Sequence, residues 1–322
     1  MDFSDRRKNL QKLIMGGQEF LITNPSDILY FTGYRPELAF LMASRERVGL
    51  AVFSTDNEAC LAKGIEVVTL RKVDELKKLL KCRRIGVDEG MPAWLYTKLK
   101  KWNRKVVFSS GTINKLRAVK TAEEIDHIKK AIHTTKKTIS DVDIYGKTEN
   151  YVKREIECEF ICRGADRAFD PIIASGFNSA FVHHVPGKNI VSKYGFVIID
   201  AGARVGGYCS DITRSFYPPF LKAKKVYDHV SYMQNRLIRN IKPGVKTSSV
   251  QKLYEKMMAD KGYKTMHSFG HGIGLDVHEK IGDRFKENMV LTVEPGVYIR
   301  GFGGCRKEDI VVVKKNRAVK IS

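Results

Sequence analysis

Two stretches of this chain share one construction: an apolar run ending in an acid, a glycine-rich turn, and a second run carrying another acid. In the first, FVIID ends at Asp200, YCSDITRSF carries Asp211, and Gly206-Gly207 lie between them. In the second, LTVEPGVYI carries Glu294 and KEDIVVV carries Glu308, across the turn Gly301 to Gly304. Apolar runs separated by such turns read as antiparallel hairpins, in which residues facing each other share one side of the sheet. A two-residue turn at Val205-Gly206 pairs Asp200 with Asp211, and Gly301, midway between 294 and 308, pairs the two glutamates. Like charges held side by side repel, and a dication relieves that repulsion. With His271, in a third glycine-punctuated segment, the set holds four carboxylates and one imidazole, an inventory suited to a pair of divalent cations. Any one of these acids alone would read as a solvated or salt-bridged surface group.

The segments IDAGARVGGYCSDITRSF, HSFGHGIGLDVHE, VEPGVYI and GGCRKED resemble, in order and spacing, the motifs of the pita-bread metallopeptidases, in their Xaa-Pro aminopeptidase and prolidase branch. The resemblance runs from about residue 116 to 313, with a weaker N-terminal echo in DILYFTGY, and all five ligand places carry the expected residue type. It implies that Asp200 chelates one metal, that Asp211 and Glu308 bridge two, and that His271 and Glu294 complete the other. Metal ions of this kind acidify water into a nucleophile at neutral pH. His183, in SAFVHHVPG, and His278, ending GLDVH, match substrate-contacting histidines that could face a tetrahedral oxyanion. By the same resemblance Glu294 shuttles the proton to the leaving amine, His267 borders the substrate pocket, and Arg306 orients a bridging carboxylate.

Plainer readings compete at several positions. His184 cannot point the same way as His183 on an extended segment and reads as structural. Gly270, Gly272 and Gly274 have the spacing of a nucleotide loop, but neither a phosphate-binding lysine nor a glycine-rich helix entry follows them. Lys307 alternates with Arg306 and Glu308 and is expected to face away from them. Cys209 and Cys305, close to the proposed ligands, read as packing residues.

At 322 residues, 43% apolar and 29% charged, the chain has the length of two domains and a globular composition. The net charge of +21 is spread: residues 1–119 hold 22 basic and 13 acidic residues, +9, which leaves +12 for the rest. Runs such as Lys77-Lys78 and Lys98 to Lys101 lack the interleaved aromatics of an RNA-binding surface and read as solvated helix faces. No stretch approaches the ~18 apolar residues of a membrane span. The six cysteines form no C-x-x-C pair and read as free thiols. A cytoplasmic location without membrane or nucleic-acid partners is the expectation.

The pattern divides the chain near residue 116. Residues 1–115 alternate apolar runs (EFLITN, VGLAVFS, EACLA, VVTL, RRIGVDE, KVVFS) with charged helical segments (VDELKKLLK, PAWLYTKLKK), which predicts an α/β domain. In residues 116–322 a capping box, Thr121 to Glu124, opens a long helix whose isoleucines recur at three- and four-residue steps. Further helices are expected at about 149–162, 221–240 and 247–260, each stopped by Gly164, Pro243-Gly244 or Gly262. Two helices followed by an acid-bearing hairpin thus occur twice. The expected second domain is α+β, a curved antiparallel sheet covered by helices with pseudo-twofold halves.

The resemblance implies a dinuclear-metal exopeptidase removing the N-terminal residue of a short peptide, with proline second, as an Xaa-Pro dipeptidase or aminopeptidase. Mn²⁺ or Co²⁺ are the expected ions, with Zn²⁺ compatible. The resemblance also implies a homodimer. The alternative is a non-catalytic member of the fold that binds a peptide, protein or nucleic acid.

Overall fold

The computed structural model describes residues 3–55, 62, 64–88 and 90–322. The chain divides into two compact units, Met1–Arg117 and Ala118–Ser322. In the first, the elements are α1 (Phe3–Leu13), β1 (Gln18–Ile22), α2 (Pro25–Thr32), β2 (Ala39–Ala43), β3 (Val48–Phe53), β4 (Glu66–Leu70), α3 (Leu76–Leu79), β5 (Arg84–Val87), α4 (Ala93–Lys101), β6 (Lys105–Phe108) and α5 (Ser110–Ala118). The strands form one mixed sheet in the order β4-β3-β2-β1-β5-β6. Leu21, Phe40, Ala51 and Ile85 from this sheet are buried against Leu95 and Leu99 of α4. The lysines of α3 and α4 lie outside that core, and Lys98 pairs with Asp74 at 3.0 Å.

Two expectations for this unit change, and a third falls outside the described residues. Strand β2 was not anticipated; every one of its residues is buried, so it lacks the polar-apolar alternation that marks a half-buried strand. VDELKKLLK folds as one 3₁₀ turn followed by the single-turn α3 rather than as a continuous helix. The run EACLA lies, but for Ala62, outside the described residues.

The second unit contains α6 (Ala122–Asp141), α7 (Glu149–Cys162), β7 (Asp166–Arg167), β8 (Ile172–Ser175), β9 (Val197–Ala201), β10 (Ala203–Val205), β11 (Tyr208–Cys209), β12 (Ile212–Phe216), α8 (Leu221–Asn240), α9 (Thr247–Ala259), β13 (Val290–Val293), β14 (Gly296–Ile299), β15 (Gly303–Arg306), β16 (Asp309–Val313) and β17 (Ala318–Lys320). Local chemistry sets the helix boundaries. Thr121 Oγ1 accepts from the Glu124 N–H while the Glu124 carboxylate accepts from the Thr121 N–H, so both orphan donors at the start of α6 are satisfied. Gly164 and Gly262 follow α7 and α9 with φ of 68° and 71°, values that cost glycine little.

The strands pair antiparallel throughout, in four ladders: β11-β10-β7, β12-β9-β8, β13-β16-β17 and β14-β15. Helix α8 buries Val226, Val230, Met233 and Leu237 against Leu291, Val293 and Val297. Helix α7 buries Val152, Ile156 and Phe160 in the same cluster as Ile173 and Ile199. A helix pair followed by ladders therefore occurs twice, α6-α7 before β8 to β12 and α8-α9 before β13 to β17. Cys209 and Cys305 are buried, Cys305 within the α8-α9 core, as packing residues are.

Candidate metal centre

The hairpin register decides where the acids stand. In the first hairpin Val205 pairs with Tyr208 and Asp200 with Thr213. The turn is therefore Gly206-Gly207, with φ of 58° and 85°, and not Val205-Gly206. Two consecutive positive φ angles make glycine the favoured residue at both positions, as in a type I′ turn. The one-residue correction moves Asp211 from directly opposite Asp200 to the diagonal place beyond Thr213. Because residues two apart share a face, both carboxylates still emerge on one side. At Gly202 a Cβ would stand 2.1 Å from the Ser210 carbonyl oxygen, so only glycine admits this close approach of the strands.

In the second hairpin Val293 pairs with Asp309 and Gly296 with Arg306. One register spans both ladders, and Glu294 faces Glu308 at the break between them, as the position of Gly301 predicts. His271 is held alongside: its N–H donates to Thr292 Oγ1 at 3.1 Å and its carbonyl accepts from the Thr292 N–H at 2.8 Å. Gly270 is needed there, since a Cβ would lie 2.0 Å from the Thr292 carbonyl oxygen. The GHGIG glycines thus serve strand approach.

All nine candidate residues of the sequence reading line one cavity of about 310 Å³: Asp200, Asp211, His271, Glu294, Glu308, His183, His267, His278 and Arg306. Phe169, Ile172, Val182 and Val277 form its apolar wall. Ligand atoms of Asp211, His271 and Glu308 all lie within 4.8 Å of one another. His271 Nε2 is 3.5 Å from both Asp211 Oδ2 and Glu294 Oε1. Its Nδ1 is 3.0 Å from the Gly272 carbonyl oxygen, to which it donates, leaving the Nε2 lone pair aimed at the acids.

Charge balance in the cavity is poor. Burial first, then the neighbouring Glu308 and Asp200 charges, push the Asp211 carboxyl well above its usual range. Glu294 is pushed up in the same direction by burial and by Glu308, and Glu308 rises to about 7 through burial and the Asp200 charge. Asp200 Oδ1, Asp211 Oδ1 and Glu308 Oε1 are buried without a hydrogen-bond partner. Buried oxygens of this kind carry a substantial free-energy cost unless something satisfies them. Divalent cations held by these residues would satisfy all three orphaned oxygens and offset the negative charge of the carboxylates. The residues present fit a metal pair.

Arg306 is the hub behind the carboxylates. Its Nη2 donates to Asp200 Oδ2 at 2.6 Å, its Nε to Thr213 Oγ1 at 3.0 Å, and its Nη1 to Tyr298 Oη at 2.8 Å. Thr213 Oγ1 in turn donates to Glu308 Oε2 at 2.8 Å. The expectation for Arg306 therefore needs adjusting: its direct ion pair is with Asp200, and Glu308 is reached one step removed, through Thr213. The Tyr298 hydroxyl donates to His267 Nε2 at 3.0 Å and His267 Nδ1 donates to the Ser268 carbonyl at 2.9 Å. Burial lowers His267 to about 4, which keeps it neutral in this chain of bonds. His278 is also lowered, by burial and then by His271, whose ring lies 4.3 Å away centre to centre. Lys307 turns away, with its ammonium 3.4 Å from Ser231 Oγ on α8.

Thr213 and Tyr298 were not anticipated. Each had a signal in its spacing, two residues after Asp211 and four after Glu294, which keeps it on the acid-bearing side.

Residues 120–315 match the model of metallopeptidase family M24, and residues 6–119 that of the creatinase/prolidase N-terminal domain. The Xaa-Pro dipeptidase of Pyrococcus horikoshii is 32% identical over 96% of this chain and 87% of its own length. Among solved structures, the prolidase from the same organism superposes with a TM-score of 0.91 at 30% identity, covering 98% of this chain and 97% of that one. An X-Pro aminopeptidase from Thermotoga maritima superposes with a TM-score of 0.85 at 30% identity over 97% of each chain. With the family models spanning both units, the chain belongs to metallopeptidase family M24: an enzyme with a creatinase/prolidase-type N-terminal domain and a pita-bread catalytic fold.

Proposed function

We propose that this chain is a dinuclear-metal exopeptidase that hydrolyses the bond preceding proline in short Xaa-Pro peptides. The observation that carries the metal part is the set of three orphaned carboxylate oxygens, on Asp200, Asp211 and Glu308, all residues that line one cavity. The substrate follows from the relatives, which act on Xaa-Pro peptides by name. A cavity of about 310 Å³ stands at the small end of ligand pockets and favours a dipeptide-sized occupant.

In this reading Asp200, Asp211, His271, Glu294 and Glu308 hold two ions, Mn²⁺ or Co²⁺ with Zn²⁺ also compatible. When bound, the ions polarise the scissile carbonyl and activate water. The chain's own residues do the rest. Arg306 fixes the Asp200 carboxylate and, through Thr213, that of Glu308. His183 and His278, at the cavity wall, present imidazole N–H groups to the oxygen that gains charge. Glu294, its side chain more exposed than that of Glu308, carries a proton on its carboxylate to the departing imide nitrogen of proline. Phe169, Ile172 and Val182 exclude water from one side of the substrate.

The same reading assigns residues 116–322 to catalysis and 1–115 to an accessory domain, and takes the working unit to be a homodimer. A cytoplasmic setting is consistent with the free thiols of Cys158 and Cys162 on the exposed face of α7. The experiment is cleavage of a pool of dipeptides and longer peptides, with and without proline second, by protein reconstituted with Mn²⁺ or Co²⁺ and followed by mass spectrometry. Release of the residue before proline is expected. Absence of cleavage by protein holding two ions would sink the proposal.

A further inference from the structure

His183 is carried by a segment with little structure of its own. Val182 and His183 form a turn outside any helix or strand, and Val185, two residues on from His183, is 80% exposed. A side chain meant to meet a substrate cannot be placed by such a segment unless something outside fixes it.

Two fixings flank His183. On one side the Val182 carbonyl accepts from Arg306 Nη1 at 3.3 Å. On the other, His184 turns away from the cavity and its Nε2 lies 2.8 Å from Glu149 Oε2. Glu149, at the first position of α7, is 0% exposed. Its carboxylate also accepts from the Ser175 N–H at 2.8 Å, Asn178 Nδ2 at 3.0 Å, Asn189 Nδ2 at 3.1 Å and the Gly187 N–H at 3.2 Å. One buried acid therefore gathers both ends and the middle of the stretch 175–189. Burial pushes this carboxyl up, but the bonds from His184, Ser175 and Asn178 outweigh it and hold Glu149 below its ordinary value. So dense a set of donors exceeds what a helix start needs, since the Thr148 hydroxyl already accepts from the Tyr151 N–H.

The geometry points to Glu149 as a positioning residue that acts through His184 to hold His183 at the cavity wall. His183 lines the cavity while His184 reaches Glu149, so the two neighbouring rings face opposite ways, and anchoring His184 inward to α7 directs His183 toward the substrate. The inference rests on the proposed function for its catalytic consequence, and on the loop geometry alone for its structural one.

The test uses the whole 322-residue chain loaded with Mn²⁺ and an Xaa-Pro dipeptide. His184→Ala is expected to lower kcat/KM about tenfold to a hundredfold, the scale of a misplaced substrate contact, with two ions still bound. His184→Gln, which keeps a donor, restores most of it, and His184→Ala costs nothing more in a His183→Ala background. Equal losses in both backgrounds, or no loss in either, would overturn the inference. An activity-free measurement stands beside it: the ¹³Cε1 imidazole cross-peak of His183 in the protein loaded with diamagnetic Zn²⁺, assigned by its disappearance in His183→Ala. In His184→Ala, and in Glu149→Gln if it folds, this peak should move toward the position of free histidine; an unmoved peak refutes the positioning role even if the wild type cleaves nothing. A wild type that cleaves nothing while the peak moves counts against the proposed function alone.

Discussion

Arg306 Nη2 lies 2.6 Å from Asp200 Oδ2, in residues only 3% and 8% exposed. A pair so placed contributes less by its own attraction than by what its loss leaves behind, because removing one partner strands a buried charge. The pair also orients Asp200 through Oδ2 and leaves its Oδ1 without a hydrogen-bond partner.

Arg306→Lys keeps the charge but cannot reproduce a planar fork that reaches Asp200, Thr213 and Tyr298 together. We expect kcat/KM to fall by about a hundredfold and metal affinity to fall with it. Arg306→Ala should also destabilise the fold by about 3–5 kcal/mol, measurable by denaturant unfolding of the metal-free protein. Unfolding midpoints equal to wild type would show that the ion pair has no structural weight.

Glu308, moved from 4.5 to about 7 by burial and the Asp200 charge, gives the metal-free protein a definite pH dependence. Its folded-state value lies above the unfolded one, so its contribution to stability is fully present below about pH 4.5 and lost as the pH rises through about 7. A shift of that size corresponds to roughly 3 kcal/mol, and Asp211 and Glu294 move in the same direction. His267, lowered to about 4 by burial, contributes the opposite slope below about pH 6.5, so the acids are read above it: the melting temperature of the metal-free chain should fall from pH 7 to pH 8, and saturating Mn²⁺ should flatten the slope. Calorimetry across that window checks it; a metal-free protein that gains stability between pH 7 and pH 8 would contradict the shared-charge description.

Gly270→Ala places a Cβ where the Thr292 carbonyl oxygen already stands, 2.0 Å away. Backbone has to move, at a cost of about 2 kcal/mol or more, and His271, the next residue, moves with it. The expected result is weaker metal binding by titration calorimetry together with a lower unfolding midpoint. Gly301→Ala, which meets no atom within 4 Å but has a φ of 77°, should lower the midpoint by less and leave the metal affinity alone.

Much of the second unit was legible because its signals are local. The Thr121–Glu124 capping box and the stops at Gly164, Pro243-Gly244 and Gly262 lie next to the helix ends they set, and those helices fall within a residue of expectation. The acid pairs were legible because strand alternation fixes a face even when the register slips, which is why the corrected turn at Gly206-Gly207 left Asp200 and Asp211 together. Strand β2 was not, since a run buried on both faces carries no period. Glu149 was not either: an acid in the first turn of a helix is ordinary, and its partners lie 26 to 40 residues along the chain. His184 was read correctly as facing away from His183, but nothing nearby in sequence names what it faces.

The most direct test of the metal centre is the number of Mn²⁺ ions bound per chain by wild type and by Asp211→Asn, measured by titration calorimetry with Xaa-Pro hydrolysis assayed on the same samples. The four-carboxylate cavity predicts two ions and activity for wild type, and for Asp211→Asn no more than one ion and no hydrolysis. A variant that keeps both ions and full activity would contradict the assignment of Asp211 and, with it, the shared-carboxylate centre.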